Sequence, residues 1–191
     1  ADDISFPNRF EEQLKCLESG GYDLVWTSYI YIDENDREKD NYVQLYCDLD
    51  INRVLPLKNI VHHPTVMMRR SAFVRAGLYR NFPCAQDYDL WLRMLNCGCK
   101  MHMISEKLLY YRIRSMSTTN RKKYQQLCTL NYIRKLYTER CKTGKDTYSY
   151  SNYLKIMKNN GVGNSKIEDS FFKANDIIMQ SKNTIISIIN R

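Results

Sequence analysis

Residues 86–93 read Gln-Asp-Tyr-Asp-Leu-Trp-Leu-Arg and place two carboxylates at the start of an expected amphipathic helix. Apolar side chains recur at helical spacing through this stretch, and Gly98 is suited to end the helix. The pattern predicts a helix over residues 88–97, with Asp87 as its N-cap and Asp89 in its first turn. At both positions the helix dipole and the free backbone N–H groups favour a negative charge.

The rest of the chain divides into two parts that differ in their sequence patterns. Up to residue 118, helical and strand patterns alternate, which is typical of an α/β fold, whereas the patterns beyond it are helical only. Residues 170–191 are expected to form a last helix or a frayed tail. Helices are predicted over residues 7–17, 71–76, 120–142 and 150–158, and strands over residues 23–32, 60–68, 100–104 and 108–113.

The net charge of +8 conceals a strong polarity along the chain. Residues 1–50 carry a net charge of −9 and residues 51–191 a net charge of +17. Such asymmetry can indicate a nucleic-acid or membrane-surface partner, but no finger, recognition-helix or RNA-binding motif accompanies it. We therefore expect no nucleic-acid partner. Residues 185–189, Ile-Ile-Ser-Ile-Ile, leave open a helix that docks on a membrane surface or on a partner.

Seven cysteines are present, an odd number. Only Cys97 and Cys99 are close together, and the single residue between them is too few for a zinc-knuckle pair. Buried thiols in a reducing, cytoplasmic setting are therefore expected.

Three blocks, in order, carry a resemblance to a known family. They resemble family 2 glycosyltransferases, which are inverting enzymes of the GT-A fold, and the resemblance covers about residues 1–120. The first block is residues 1–9, Ala-Asp-Asp-Ile-Ser-Phe-Pro-Asn-Arg, and the third is residues 108–117, Leu-Leu-Tyr-Tyr-Arg-Ile-Arg-Ser-Met-Ser. The second combines residues 63–70, His-Pro-Thr-Val-Met-Met-Arg-Arg, residues 76–80, Ala-Gly-Leu-Tyr-Arg, and residues 86–93.

The resemblance implies a fold class and a division of the chain. Residues 1–118 would be the C-terminal half of a GT-A, nucleotide-diphospho-sugar transferase domain, and residues 119–191 a helical C-terminal extension. The first Asp of the family's Asp-x-Asp motif would precede Ala1, as would the strands that bind the nucleoside. The chain is therefore expected to be part of a longer enzyme, to be inactive by itself and to self-associate through its uncovered sheet.

On the donor side, the resemblance implies a divalent metal, Mn²⁺ or Mg²⁺, on the diphosphate of a nucleotide-sugar. Asp2 matches the second Asp of the motif and is the expected metal ligand, with Asp3 beside it on the donor side. Arg112 and Arg114 are the expected diphosphate contacts. Arg114 stands where family members often carry His, and its planar fork can bind phosphate directly.

On the acceptor side, the resemblance implies that Asp87 is the catalytic base. His63 matches the family's His-Pro and is expected to line this side, although a core histidine is the alternative. Asp89 is grouped with the acceptor side too, where it would orient Asp87 or pair with Arg93. His62 is expected to be structural.

The implied function is transfer of a sugar, with inversion, from a nucleotide-diphosphate donor to a glycan or lipid-linked acceptor in surface polysaccharide synthesis. The expected location is cytoplasmic, with peripheral association at the inner face of the membrane. The alternative is a non-catalytic helical adaptor or surface-binding module on a degenerate transferase core.

Overall fold

The structure is a computed structural model that describes residues 2–39, 50–113 and 120–174. The chain divides into two compact units, one formed by Ala1–Ser117 with Ile133–Asp146 and the other by Thr118–Tyr132 with Thr147–Arg191. One long helix contributes residues to both units, so these units do not follow a single cut after residue 118. The division into a transferase part and a helical extension stays a prediction.

A four-stranded mixed sheet forms the centre of the first unit. Its strands are β1 (Ile4–Ser5), β2 (Leu24–Ile32), β3 (Met67–Met68) and β4 (Met101–Arg112), and their order in the sheet is β1-β4-β2-β3. The central pair, β2 and β4, is parallel, whereas each outer strand runs antiparallel to its neighbour. Together with the helices, this sheet confirms the predicted α/β class.

The register of the sheet brings the ends of three strands to one edge. Ile32 at the end of β2 is paired with Arg112 at the end of β4. Ile4 of β1 is paired with Tyr110 of β4, so the two residues before β1 lie beside the end of β4. The Asp2–Asp3 segment therefore meets the carboxyl ends of the two central strands.

The helices of the described chain are mostly those that the sequence predicts. The most deeply buried one is α4, in which every residue from 88 to 94 is buried, and the core of the sheet is the buried start of β2. The helices are α1 (Arg9–Ser19), α2 (Ile51–Val54), α3 (Arg70–Arg75), α4 (Gln86–Asn96), α5 (Asn120–Thr143) and α6 (Tyr150–Asn159). Residues 165–174 are also helical.

The prediction of a strand over residues 60–68 is wrong for most of its length. His63–Thr65 form a 3-10 helix, and only Met67–Met68 pair in the sheet. The turn is closed by Thr65, whose backbone N–H and Oγ1 both donate to the carbonyl oxygen of His62, at 2.9 and 2.8 Å. Pro64 fits this turn because it needs no backbone donor at the start of a helix.

The start of α4 also differs from the prediction. The N-cap is Ala85, in the left-handed conformation with φ of 58°, and Asp87 lies within the first turn instead of capping it. The predicted end is confirmed: Gly98 has φ of 70°, and the N–H of Cys99 donates to the carbonyl of Met94 at 3.0 Å. This arrangement closes the helix through a left-handed glycine.

Two further predictions about strands and helices need correction. The predicted strands 100–104 and 108–113 are one strand, β4, whose pairing with β2 shifts register in the middle. The predicted cap Ser71 lies inside α3, which begins at Arg70 after the extended Arg69. Neither correction moves the strand ends that form the site.

The second unit has a small core of its own. Tyr153 of α6 is buried, and its hydroxyl lies 3.1 Å from Oγ1 of Thr129. The hydroxyl of Tyr124 donates to the carbonyl of Asn160 at 2.9 Å.

Within the described chain, every helix is too short or too polar to cross a membrane. The surface-docking alternative for residues 185–189 lies outside the described residues.

Candidate functional site

The Asp2–Asp3 segment is fixed to the end of β4 by Arg112. The backbone N–H of Arg112 donates to Oδ1 of Asp3 at 3.0 Å, and its Nε donates to the carbonyl of Asp2 at 3.0 Å. The other guanidinium nitrogens donate to the carbonyl of Asp33 at 2.8 Å and pair with the Asp36 carboxylate. The observed contacts of Arg112 thus join this segment to the turn after β2.

These contacts change the prediction for Arg112. All three guanidinium nitrogens already donate to protein acceptors, so a diphosphate would have to displace them. Arg112 is better described as the residue that holds Asp2 and Asp3 in place. The matching prediction for Arg114 lies outside the described residues.

Asp87, the predicted base, is half-buried in the first turn of α4. Within the described chain its side chain makes no hydrogen bond or ion pair, and it interacts electrostatically with His62 and Tyr79. The predicted acceptor-side residue His63 is nearby: its Nε2 lies 3.1 Å from the hydroxyl of Tyr79. His63 is exposed, so the alternative that it is a core histidine is wrong.

The residue that sequence reasoning missed is His62, which was expected to be structural. Its ring stacks on Tyr29 with centroids 4.0 Å apart and meets the edge of Tyr111 at 4.7 Å. Both Asp3 and Asp87 act on it electrostatically, so residues of both predicted halves of the site lie near it. Its position directly before the His63-Pro64 motif was the signal that could have identified it.

His62 is kept neutral by its surroundings. Burial lowers its pKa to about 4, and the opposing effects of Asp3 and Asp87 do not compensate. Nε2 is buried and has no hydrogen-bond partner in the described part of the chain. A neutral imidazole offers one donor and one acceptor nitrogen, which suits contact with a hydroxyl group.

The lowered pKa of His62 predicts a pH dependence of stability. The folded chain protonates this residue only near pH 4, whereas an unfolded histidine does so near pH 6.5. Between these values the unfolded state binds more protons, so the free energy of unfolding should fall as pH falls, by at most about 3 kcal/mol across the window. Urea unfolding at several pH values should show a shallower decline for His62→Gln.

The control for this measurement is His63→Gln, which removes the neighbouring, exposed imidazole. An unchanged pH slope in His62→Gln would contradict the assignment of His62 as a neutral imidazole with a buried Nε2.

Asp89 has a structural position. It is fully buried and accepts a hydrogen bond at 2.8 Å from Nε of Arg93, which confirms the predicted pairing. Arg80 forms a second ion pair with it at 3.6 Å, and Arg93 also donates to the carbonyl of Leu78 at 2.7 Å. Because Asp89 is enclosed by these partners, its grouping with acceptor contacts does not fit. It fixes the helix turn that carries Asp87.

The carboxylate oxygens of the segment before β1 are of the kind that binds a hard divalent cation. Among the described residues no group of three His, Cys, Asp or Glu side chains could hold a metal by itself. Mg²⁺ is commonly bound through one or two carboxylates completed by substrate phosphates and water, however. Asp2 with the adjacent Asp3 supplies that kind of incomplete ligand set.

Comparison with known proteins adds independent information. Over 120 residues, 62% of this chain and 47% of the relative, the chain is 36% identical to an O-antigen biosynthesis glycosyltransferase of Escherichia coli. It is 30% identical over 134 residues, 70% of this chain and 48% of the relative, to an amylovoran biosynthesis glycosyltransferase of Erwinia amylovora. No protein-family model matches the chain.

A third relative has a more specific name. The chain is 28% identical over 123 residues, 64% of this chain and 44% of the relative, to the UDP-Gal:alpha-D-GlcNAc-diphosphoundecaprenol beta-1,3-galactosyltransferase of Escherichia coli. The chain thus spans about half the length of the curated relatives that it matches. These similarities relate it to glycosyltransferases of polysaccharide synthesis.

Proposed function

We propose that the full-length protein containing this chain is a family 2 glycosyltransferase of the GT-A fold. It transfers a sugar, with inversion, from a nucleoside-diphosphate donor to a glycan or lipid-linked acceptor in surface polysaccharide synthesis. The observation that carries the proposal is the position of the His62 ring, which meets Tyr111, the neighbour of the Arg112 that binds Asp3. Asp3 and Asp87, which lie far apart in the sequence, both act on this ring electrostatically. In this proposal the two separate acidic segments border one site.

The relatives support the classes of substrate. The name of the galactosyltransferase relative specifies a UDP-linked sugar donor and a diphosphoundecaprenol-linked acceptor. For this chain we extend this only to the chemical classes, a nucleotide-sugar and a glycan or lipid-linked acceptor. Because a lipid-linked acceptor is held at a membrane and the cysteine content fits a reducing, cytoplasmic setting, we propose that the activity lies at the cytoplasmic face of the membrane.

On the donor side, Asp2 and Asp3 are the proposed contacts. Asp2 would offer its carboxylate oxygens to Mn²⁺ or Mg²⁺, which when bound neutralises the charge that develops on the diphosphate. Asp3, held by the backbone N–H of Arg112, would contact the donor beside it. Because Arg112 holds the Asp2 backbone and the Asp3 carboxylate, the segment would need little reorganisation during the reaction.

On the acceptor side, Asp87 is the proposed general base. The acceptor oxygen forms a bond to the anomeric carbon from the face opposite the diphosphate, while the bond to the diphosphate oxygen breaks. The hydroxyl proton passes to the Asp87 carboxylate, and the electron pair of the broken bond leaves with the nucleoside diphosphate. A single displacement of this kind inverts the anomeric centre.

The surroundings of Asp87 suit this role. Its carboxylate has no ion-pair partner in the described chain, so proton acceptance does not require a salt bridge to break. The pKa of nearby Tyr79 is raised by burial and by Asp87, so this phenol stays protonated and can donate a hydrogen bond. His63 and Tyr79 would contact the acceptor on this side.

The direct test is a donor-hydrolysis and transfer screen of the full-length protein. Nucleotide-sugars of different bases and sugars are incubated with Mn²⁺, with and without an acceptor of the lipid-diphosphate-sugar type. We expect one donor to be consumed, faster with acceptor, and the product to have the opposite anomeric configuration. Failure to turn over any donor would favour the alternative, a non-catalytic adaptor.

A further inference from the structure

Arg9 is buried in an unusual way. It is only 7% exposed, yet its guanidinium contacts neutral acceptors in the described chain: Oγ of Ser5 at 2.9 Å, Oε1 of Gln13 at 3.0 Å and the carbonyl of Pro64 at 2.7 Å. Burial lowers the pKa of Arg9, and the carboxylate of Asp3 acts in the opposite direction. Burying a cation is costly unless it is hydrogen-bonded, and the three contacts of Arg9 offset this cost.

The three contacts of Arg9 join separate parts of the site. Ser5 belongs to β1, two residues after Asp3, whereas Pro64 lies in the 3-10 turn that follows His62. Gln13, one helical turn further along α1, is fully buried and donates from Nε2 to the carbonyl of Thr65 at 2.8 Å. One face of α1 thus binds the donor-side segment and the turn together.

The His62–Thr65 turn connects the contacts of α1 to the ring of His62. Oγ1 of Thr65 donates to the carbonyl of His62 at 2.8 Å and accepts from the backbone N–H of Thr27 in β2 at 3.3 Å. His62 in turn stacks on Tyr29 of the same strand. The contacts form one continuous path from Ser5 through Arg9, Gln13 and Thr65 to His62.

We propose that Arg9 and Gln13 act as a pair of positioning residues that sets the distance between the Asp2–Asp3 segment and the His62–Thr65 turn. The proposal rests on the proposed transferase function for its kinetic consequence. Neither side chain touches substrate. They keep the donor-side and acceptor-side segments at a fixed distance from each other. This distance matters because small displacements of reacting groups lower the reaction rate strongly.

The first test is Arg9→Lys in the full-length protein. Lysine keeps the charge but has a single terminal nitrogen, which cannot reproduce the fork that reaches Ser5, Gln13 and Pro64. We expect kcat to fall by about 10²-fold and the Mn²⁺ concentration for half-maximal rate to rise. A merely structural arginine would lower the yield and the melting temperature but leave that Mn²⁺ concentration unchanged, which would overturn the proposal.

The matched control is Arg69→Lys. Arg69 also donates to two backbone carbonyls, those of Leu17 at 2.7 Å and Tyr22 at 2.9 Å, but at the other end of α1 and beside the start of β2. Its replacement should leave the Mn²⁺ concentration for half-maximal rate unchanged. An equal shift in both variants would show that any weakening of α1 produces the effect.

A second measurement is independent of enzyme activity. Hydrogen–deuterium exchange in the peptide that covers residues 60–68 should become faster in Arg9→Lys and in Gln13→Met, which removes the bond to Thr65. It should stay at the wild-type rate in Arg69→Lys. Unchanged exchange in both Arg9→Lys and Gln13→Met would overturn the positioning role, whether or not the protein is a transferase. Faster exchange in a protein that turns over no donor would reject only the proposed function.

Discussion

Replacing Asp87 with Asn in the full-length protein should lower the rate of sugar transfer by about 10²–10⁴-fold and leave donor affinity nearly unchanged. Asparagine has the same shape, but its amide oxygen cannot take the proton of the incoming hydroxyl. Asp87 lies within the first turn of α4 and does not cap it, so the exchange removes no capping bond. The measurement is kcat for transfer together with the donor dissociation constant.

The matched control is Asp89→Asn, two residues along the same helix. Asp89 is fully buried in an ion pair with Arg93, and breaking such a pair costs about 3–5 kcal/mol of stability. This variant should therefore unfold more easily but retain its rate per folded molecule. If Asp89→Asn abolishes the chemistry and Asp87→Asn is mild, the two roles have been assigned the wrong way round.

The long periodic helices and strands could be predicted from the sequence because the residues within each of them determine its secondary structure. β2 combines β-branched and aromatic residues, and α4 has a continuous buried side and a glycine at its end. The start of α4 could not be predicted, because its cap is Ala85 in a left-handed conformation that alanine rarely adopts. The helix start is instead held by tertiary contacts such as the ion pair between Asp89 and Arg80, which lies outside the helix.

The segment before β3 shows a different limit. Residues 60–68 are rich in β-branched and apolar side chains, but the hydroxyl of Thr65 bonds back to His62 and closes a turn. That turn separates two adjacent histidines: His62 stacks on Tyr29, and His63 is exposed beside Tyr79. The sequence could indicate that a histidine belongs to the candidate site, but only the turn decides which of the two packs on Tyr29 and Tyr111.

Arg112 illustrates why side-chain roles are harder to predict than elements. An arginine in a motif near acidic residues suggests a phosphate ligand, because its free fork suits an anion. In the fold, the pairing of β1 with β4 brings the carbonyl of Asp2 to its Nε, and the turn after β2 supplies further acceptors. Its donors are used by two backbone carbonyls and by the Asp36 carboxylate, all remote in sequence.

The second large effect is expected for Asp2→Ala, which should abolish Mn²⁺-dependent donor turnover in the full-length protein. Alanine removes the carboxylate but keeps the backbone carbonyl that accepts from Nε of Arg112, so the segment should stay in place. The melting temperature should therefore change little. The readout is donor turnover as a function of Mn²⁺ concentration, alongside thermal unfolding.

The control for Asp2 is Asp36→Ala, which removes one negative charge from the same neighbourhood. Asp36 is exposed and pairs with Arg112, but it belongs to the turn after β2 and is not a proposed metal ligand. Its loss should leave Mn²⁺-dependent turnover close to the wild-type level. Wild-type turnover by Asp2→Ala, or full activity of the unmodified protein in excess chelator, would remove Asp2 from the metal site. Loss of turnover in both variants would instead trace the effect to the local charge around Arg112, which contacts Asp36 through its carboxylate and Asp2 through its backbone carbonyl.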